Sequence, residues 1–163
     1  LTAEMAEVVS QRPIKVLSGY RTPAYNRTLN TARLSRHQYG DASDIYVDED
    51  NDGRMDDLNH DGVVDGRDAM VLASWIEDLW QRPEFRNCPG GLGIYNGTGS
   101  HGPFVHVDMR GFKARWGGNG LRWDDDNLSA RDLLYRYGYQ LPPAADTADP
   151  DDADNEPGDK SDR

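Results

Sequence analysis

Ser35-Arg36-His37-Gln38-Tyr39-Gly40-Asp41-Ala42-Ser43-Asp44 sets an imidazole and a carboxylate seven residues apart, with the small residues Gly40 and Ala42 between them. A zinc ion that does chemistry takes three protein ligands of nitrogen or oxygen type and keeps a fourth position open. His37 and Asp44 offer two of the three. A third stands far downstream in Phe104-Val105-His106-Val107-Asp108, where an apolar strand carries a histidine. Either residue alone reads as a satisfied core histidine or a capping aspartate. Together, with small residues at set places and a second histidine on a strand, they read as a metal site.

Upstream, Ile14-Lys15-Val16-Leu17 reads as a strand running into Ser18-Gly19-Tyr20-Arg21-Thr22-Pro23. Thr22 suits a helix cap and Pro23 the first helical position, and Ala24 to Leu34 can continue that helix. Arg21 then projects from a strand-to-helix turn, either as a surface arginine or as a clamp on a substrate carboxylate or oxyanion. Residues 1–11 read as a short helix with Met5, Val8 and Val9 on one side. Downstream, Leu92-Gly93-Ile94-Tyr95 reads as a strand. Arg110, Arg115 and Trp116 line a cleft or simply pack. Ser129 caps a last helix bearing Leu133, Leu134 and Tyr137. From Pro142 onward there is no large apolar residue, and disorder is expected.

The stretch Asp57-Leu58-Asn59-His60-Asp61-Gly62-Val63-Val64-Asp65-Gly66-Arg67-Asp68 fits a twelve-residue calcium loop. Asp57, Asn59 and Asp61 hold positions one, three and five, and Gly62 the sharp turn. The Val63 carbonyl, Asp65 and Asp68 follow as the later ligands, with Val64 packing inward. A helix with Leu72, Trp75, Ile76 and Leu79 at helical spacing comes next. An overlapping loop begins at Asp48, with Asp50, Asp52, the Arg54 carbonyl and Asp56 as its ligands. One or two structural calcium ions are expected, fixing the end of the Asp44 strand; His60 points outward without a role. The block resembles the calcium repeat of dockerins more than a paired EF-hand.

The net charge of −11 is local. Residues 48–68 carry nine acids and two bases, and residues 142–163 eight acids and two bases, so the rest is nearly neutral. No basic footprint for nucleic acid exists. No apolar run approaches the ~20 residues of a membrane span. Cys88 is the single cysteine, beside Pro89-Gly90-Gly91, and reads as a packing or turn residue. The opening Leu1-Thr2-Ala3 reads as a mature or excised piece, with no address written in it.

Three stretches carry a family resemblance: Ser18 to Asn26, the Ser35-x-His37-x-x-Gly40-x-Ala42-x-Asp44 pattern, and Phe104 to Asp108. They resemble the zinc D-alanyl-D-alanine carboxypeptidase and murein endopeptidase family, which shares its fold with the hedgehog signalling domain and the dipeptidases of vancomycin resistance. The likeness spans roughly residues 14–47 and 90–116, in the family's order. It implies that His37, Asp44 and His106 bind one zinc. It also implies that Arg21 contacts substrate or stabilises the tetrahedral intermediate. The dipeptidases keep a general-base glutamate three residues before the last zinc histidine, and here that position is Pro103. The endopeptidase branch, with its Phe-Val-His-x-Asp strand, looks closer. Asp108 shares a strand face with His106, and either orients a ligand or takes a proton from zinc-bound water. His101, in the glycine-rich loop Asn96 to Gly102, is the other acid or base candidate. The base stays open.

The expectation is an α+β domain over residues 1–141, a small antiparallel sheet flanked by helices in the hedgehog/D-Ala-D-Ala peptidase manner. A calcium-loop and helix insert occupies 48–81, and an acidic tail 142–163. The expected activity is zinc-dependent hydrolysis of peptide bonds in peptidoglycan stem peptides or crosslinks, as carboxypeptidase or endopeptidase, by a monomer. An extracytoplasmic location follows from the resemblance alone. Two rivals remain: a zinc-containing cell-wall binding domain that has lost its base, and a calcium-dependent docking or adhesion module.

Overall fold

The computed structural model describes residues 12–29, 31–85 and 87–139. The expected helix at 1–11 and the acidic tail from Pro142 lie outside the described residues. Five strands, β1 (Ile14–Ser18), β2 (Ala42–Val47), β3 (Gly91–Tyr95), β4 (Phe104–Asp108) and β5 (Ala114–Gly118), form one sheet in the order β1-β2-β4-β3-β5. Every pairing is antiparallel except that of β3 with β5. The α+β class holds, and the sheet is mixed. Chain direction alternates through β3, β4 and β5, so when β5 is laid on the far side of β3 the two run the same way.

Alternation along the strands gives each face its own chemistry. Ile45, Val47, Leu92, Ile94, Val105 and Val107 are buried in the core. Against them packs α2 (Gly66–Trp80), whose Met70, Leu72, Ala73 and Ile76 belong to the same apolar cluster. The shorter α3 (Ala130–Arg136) adds Leu133 and Leu134. Glu77 of α2 ties the last elements together, accepting from Arg115 Nε at 2.8 Å and from the Ala130 backbone N–H at 2.6 Å. Arg115 therefore faces the helices, its guanidinium 5.4 Å from the ring centres of both Trp80 and Trp123. Arg115 lines a cavity on the helix side with Glu77 and Trp80: one residue along β5, it points away from the face that Trp116 occupies.

Helix α1 (Pro23–Thr28) starts as the sequence indicates, with the Thr22 hydroxyl accepting from the Tyr25 N–H. It ends well before Leu34. Leu29 is extended, and the buried Asn26 amide donates to the Ala32 carbonyl, folding the chain back on itself. A 3-10 turn over Arg36–Tyr39 then leads through Gly40, at φ +74°, into β2.

The insert leaves β2 at Val47 and returns as α2. Its two loops have one backbone form. Gly53 and Gly62 share a φ of +83°, a left-handed conformation that favours glycine, and Asn51 and His60 lie at +61° and +59°. Met55 and Leu58 turn inward, 2% and 5% exposed, and fill the space beneath the loops. Val64, expected to pack inward, is instead 46% exposed.

Candidate metal centre

The face of the sheet opposite the core carries one continuous row. Ser18 pairs with Asp44, Asp44 with His106, His106 with Gly93, and Gly93 with Trp116, one residue from each strand. The 3-10 turn brings His37 over the middle of that row. His37 Nε2 lies 3.1 Å from Asp44 Oδ1 and 3.1 Å from His106 Nδ1, and His106 Nδ1 lies 2.9 Å from Asp44 Oδ1. All three side chains are buried.

The outer partners fix what these atoms offer. His37 Nδ1 meets the Gly19 carbonyl at 2.7 Å, an acceptor only, so the Nδ1–H donates and Nε2 keeps its lone pair. His106 Nε2 meets the Asp108 carboxylate at 3.1 Å, so its proton sits there and Nδ1 keeps its lone pair. Two lone pairs and a carboxylate oxygen thus face one another at about 3 Å. Such a set repels itself unless a cation sits among its members. It fits zinc, which favours N and O donors at ~2.0–2.2 Å.

Asp44 is shared. Its Oδ2 accepts from Arg21 Nη2 at 2.5 Å, while Arg21 Nε donates to Ser18 Oγ at 2.8 Å. Burial works against the Asp44 carboxylate. Asp108 is wholly enclosed. It accepts from the Gly91 N–H and from Arg110, whose Nε and Nη2 reach it at 2.8 and 2.6 Å. Burial again opposes ionisation, and the Arg110 and His106 hydrogen bonds carry it well below the usual carboxylate range. Asp108 therefore meets the far side of the His106 ring with its oxygens fully used. That geometry orients the imidazole; it gives no route for taking a proton from the metal side.

Over the row opens a cleft of about 390 Å³, whose walls include Arg21, Arg36, His37, Asp44, Tyr95, Phe104, His106, Arg110 and Trp116. Of the sequence candidates, His37, Asp44, His106, Arg21, Arg110 and Trp116 come together here. His101 does not: its Nδ1 meets the Gly102 carbonyl at 2.8 Å and its ring packs edge-on against Phe104, so it stands behind the wall. Among the described residues, Asp44 is the one carboxylate lining the cleft. Sequence reading missed Arg36, paired with Asp41, and Tyr95 as site residues. Tyr95 was findable, since period two puts Gly91, Gly93 and Tyr95 on one face.

Gly93 explains how the wall closes. Trp116 lies across it, and a Cβ there would overlap the indole, 2.3 Å from its Nε1. Gly93→Ala is expected to cost about 1–3 kcal/mol by overpacking and to push Trp116 off its 5.2 Å contact with His106. A urea titration with tryptophan fluorescence checks both effects; an unshifted midpoint and spectrum would remove Trp116 from this account.

The insert presents a second acidic group. Asp48, Asp50 and Asp56 offer carboxylate oxygens all within 4.8 Å of one another. In the first loop, Asp52 N–H donates to Asp48 and Asp50, Gly53 N–H to Asp48, and Arg54 N–H to Asp52. The second loop repeats this with Asp61, Gly62 and Val63 donating to Asp57, Asn59 and Asp61. There the similarity ends. Arg67 spans Asp61 and Asp65 at 2.5 and 2.8 Å. Asp68, expected as the twelfth ligand, accepts from the backbone N–H groups of Leu58, Asn59 and Asp65. The same carboxylate closes the first turn of α2 as half of a capping box.

A two-layer α+β domain with a His-Asp-His donor set on its open sheet face is an arrangement that suits a zinc peptidase-like protein. Residues 3–77 match the family model described as Peptidase M15. That match supports the M15 zinc D-alanyl-D-alanine carboxypeptidase-like family for this chain, and with it a zinc cofactor and a peptide substrate. It covers His37 and Asp44 and stops before His106, which the sheet register supplies. No curated protein and no solved structure matches the chain. No helix among the described residues is long and apolar enough to cross a membrane.

Proposed function

We propose that the domain over residues 1–141 is a zinc peptidase acting outside the cytoplasm, as a monomer, on peptide bonds of peptidoglycan stem peptides or crosslinks. The observation that carries this reading is the donor set of His37, Asp44 and His106, three buried ligand atoms about 3 Å apart beneath an open cleft. Zinc held there supplies a Lewis acid and activates water near neutral pH. The chain's own residues do the rest. Gly19 and Asp108 lock the two imidazoles with a lone pair inward. Arg21, anchored on Asp44 and Ser18, faces the cleft and offsets negative charge that builds on the substrate. Arg36 and Arg110 line the same cleft and suit the carboxylates of an acidic peptide.

The test pairs metal analysis with digestion of crosslinked muropeptides. One zinc per chain with cleavage is expected. Zinc without cleavage favours the rival in which the domain binds the wall and does not cut it, a reading that draws on Asp44 being the one carboxylate in the cleft. A chain that takes up no zinc overturns both.

We further propose that one calcium ion sits at Asp48, Asp50 and Asp56 with a structural role, supported by the convergence of their carboxylates. Calcium at about 100 times its dissociation constant is then expected to add roughly 2.7 kcal/mol of stability. Asp50→Asn should abolish that gain in a thermal melt. An equal gain in the variant would rule the site out.

A further inference from the structure

Tyr95 closes β3 on the cleft side of the sheet, held on three sides. Its ring stacks flat on Phe104, with centroids 4.6 Å apart and planes within 4°. Gly118 passes so close that a Cβ there would overlap the tyrosine ring. Its phenol oxygen receives the indole N–H of Trp116 at 2.7 Å. That last contact decides the direction of a proton. Indole is a donor only, so the phenol acts as acceptor in this bond and its own hydrogen must leave the oxygen elsewhere. No described residue accepts it. Donation from Trp116 also polarises the phenol and makes it a stronger donor in turn. A locked hydroxyl with an unused hydrogen thus borders the cleft that holds His37, Asp44 and His106.

The geometry points to Tyr95 as a catalytic residue that donates a hydrogen bond to the carbonyl oxygen of the peptide bond under attack. This assignment rests on the zinc-peptidase reading above. Strand order puts Arg21, in the turn after β1, and Tyr95, on β3 beside β5, on opposite sides of the Asp44–His106 pair. A carbonyl oxygen between them meets a guanidinium from one side and a phenol from the other. The charge that collects on that oxygen when the carbonyl is attacked is stabilised in place and returns when the carbon–nitrogen bond breaks. The Tyr95 proton stays on Tyr95 throughout, and no bond at the phenol is made or broken. Preorganised donors of this type act on the transition state more than on bound substrate.

Tyr95→Phe and Trp116→Phe, compared with the parent, test the assignment. For Tyr95→Phe, zinc content and melting temperature should be unchanged and KM nearly so, while kcat falls on the order of 10²-fold. Affinity for a phosphinate isostere of the scissile bond, measured by calorimetry, should fall by a similar factor. Trp116→Phe, which frees the phenol to turn, should show a smaller loss of the same kind. Unchanged kcat and unchanged phosphinate affinity in Tyr95→Phe would overturn the role of Tyr95 while leaving the peptidase reading intact. A parent that cuts no muropeptide would overturn that reading instead. The phosphinate arm would then still decide Tyr95: weaker binding by the variant supports it, and equal binding ends it.

Discussion

His106→Ala is expected to cost the chain its zinc and, with it, all hydrolysis of muropeptides. The variant keeps His37 and Asp44, two ligands where a reactive zinc needs three. It also cuts the link from Asp108 through the imidazole to the metal. Loss of an outer partner alone typically lowers metal affinity ~10–100-fold, and Asp108→Asn should fall in that range. Removing the ligand must exceed it. Dialysis against a weak chelator, followed by metal analysis, separates the two: Asp108→Asn retains part of its zinc and His106→Ala none. The fold should survive, because Val105 and Val107 on the other face of β4 carry its packing, and Arg110 keeps Asp108 paired. A folded His106→Ala chain with one tightly held zinc would sink the donor set proposed here.

Asp68→Ala should produce the largest loss of stability. The carboxylate is fully buried and accepts three backbone N–H groups, from Leu58 and Asn59 at 2.8 and 3.2 Å and from Asp65 at 2.8 Å. An unsatisfied buried donor costs about 1–3 kcal/mol, and relief of the buried charge offsets part of the sum, so a net cost of about 3 kcal/mol is expected. That corresponds to roughly 10 °C in Tm for a chain of this size. A shift under about 2 °C would mean that water replaces the carboxylate at small cost. The same group makes stability depend on pH. Burial pushes the Asp68 pKa up to about 6, against the three donors and with help from the nearby Asp57 charge. Its unfolded value is ~3.9. Between about pH 4 and 6 the folded chain therefore holds a proton that the unfolded chain has released. Its contribution is complete below that window and is lost as pH rises through it. In Asp68→Asn the slope between pH 4 and 6 should flatten, as urea midpoints across that range would show.

How far the sequence could be read depended on whether a position's role is local. The His37-to-Asp44 spacing, the strand around His106, the Thr22 cap and the apolar stripe of α2 are short-range patterns, and each holds in the structure. The surroundings of the two acidic loops were less legible. Spacing treats Asp68 as a ligand and gives no sign that the backbone N–H groups of Leu58, Asn59 and the helix cap Asp65 also converge on its oxygens. The partners of Asp108 were equally hidden. Gly91 and Arg110 reach it only through the register of β3 with β4 and the turn after β4. His101 looked eligible as a histidine in a flexible loop near the site, and its edge contact with Phe104 takes it out of the cleft. Tyr95 ends a Gly-x-Gly-x-Tyr strand of the kind the resembling family carries, but that pattern does not mark it as a donor. Its claim comes from a hydrogen bond to a residue on a strand paired in parallel, a contact no local pattern announces.

The strand order also sets a timetable for synthesis. The centre of the sheet, β4, is the fourth strand to leave the ribosome, and its histidine follows Asp44 by 62 positions and His37 by 69. During translation the first two ligands emerge with a hairpin-like β1–β2 pair that has no neighbour on its inner edge. Nascent chains add about 5–20 residues per second, so this open edge and its half-made metal set persist for some seconds. Tight zinc capture must then be a late event, coupled to insertion of β4 between β2 and β3, both already made. A refolding experiment that scores zinc uptake against sheet formation should find the two inseparable in time.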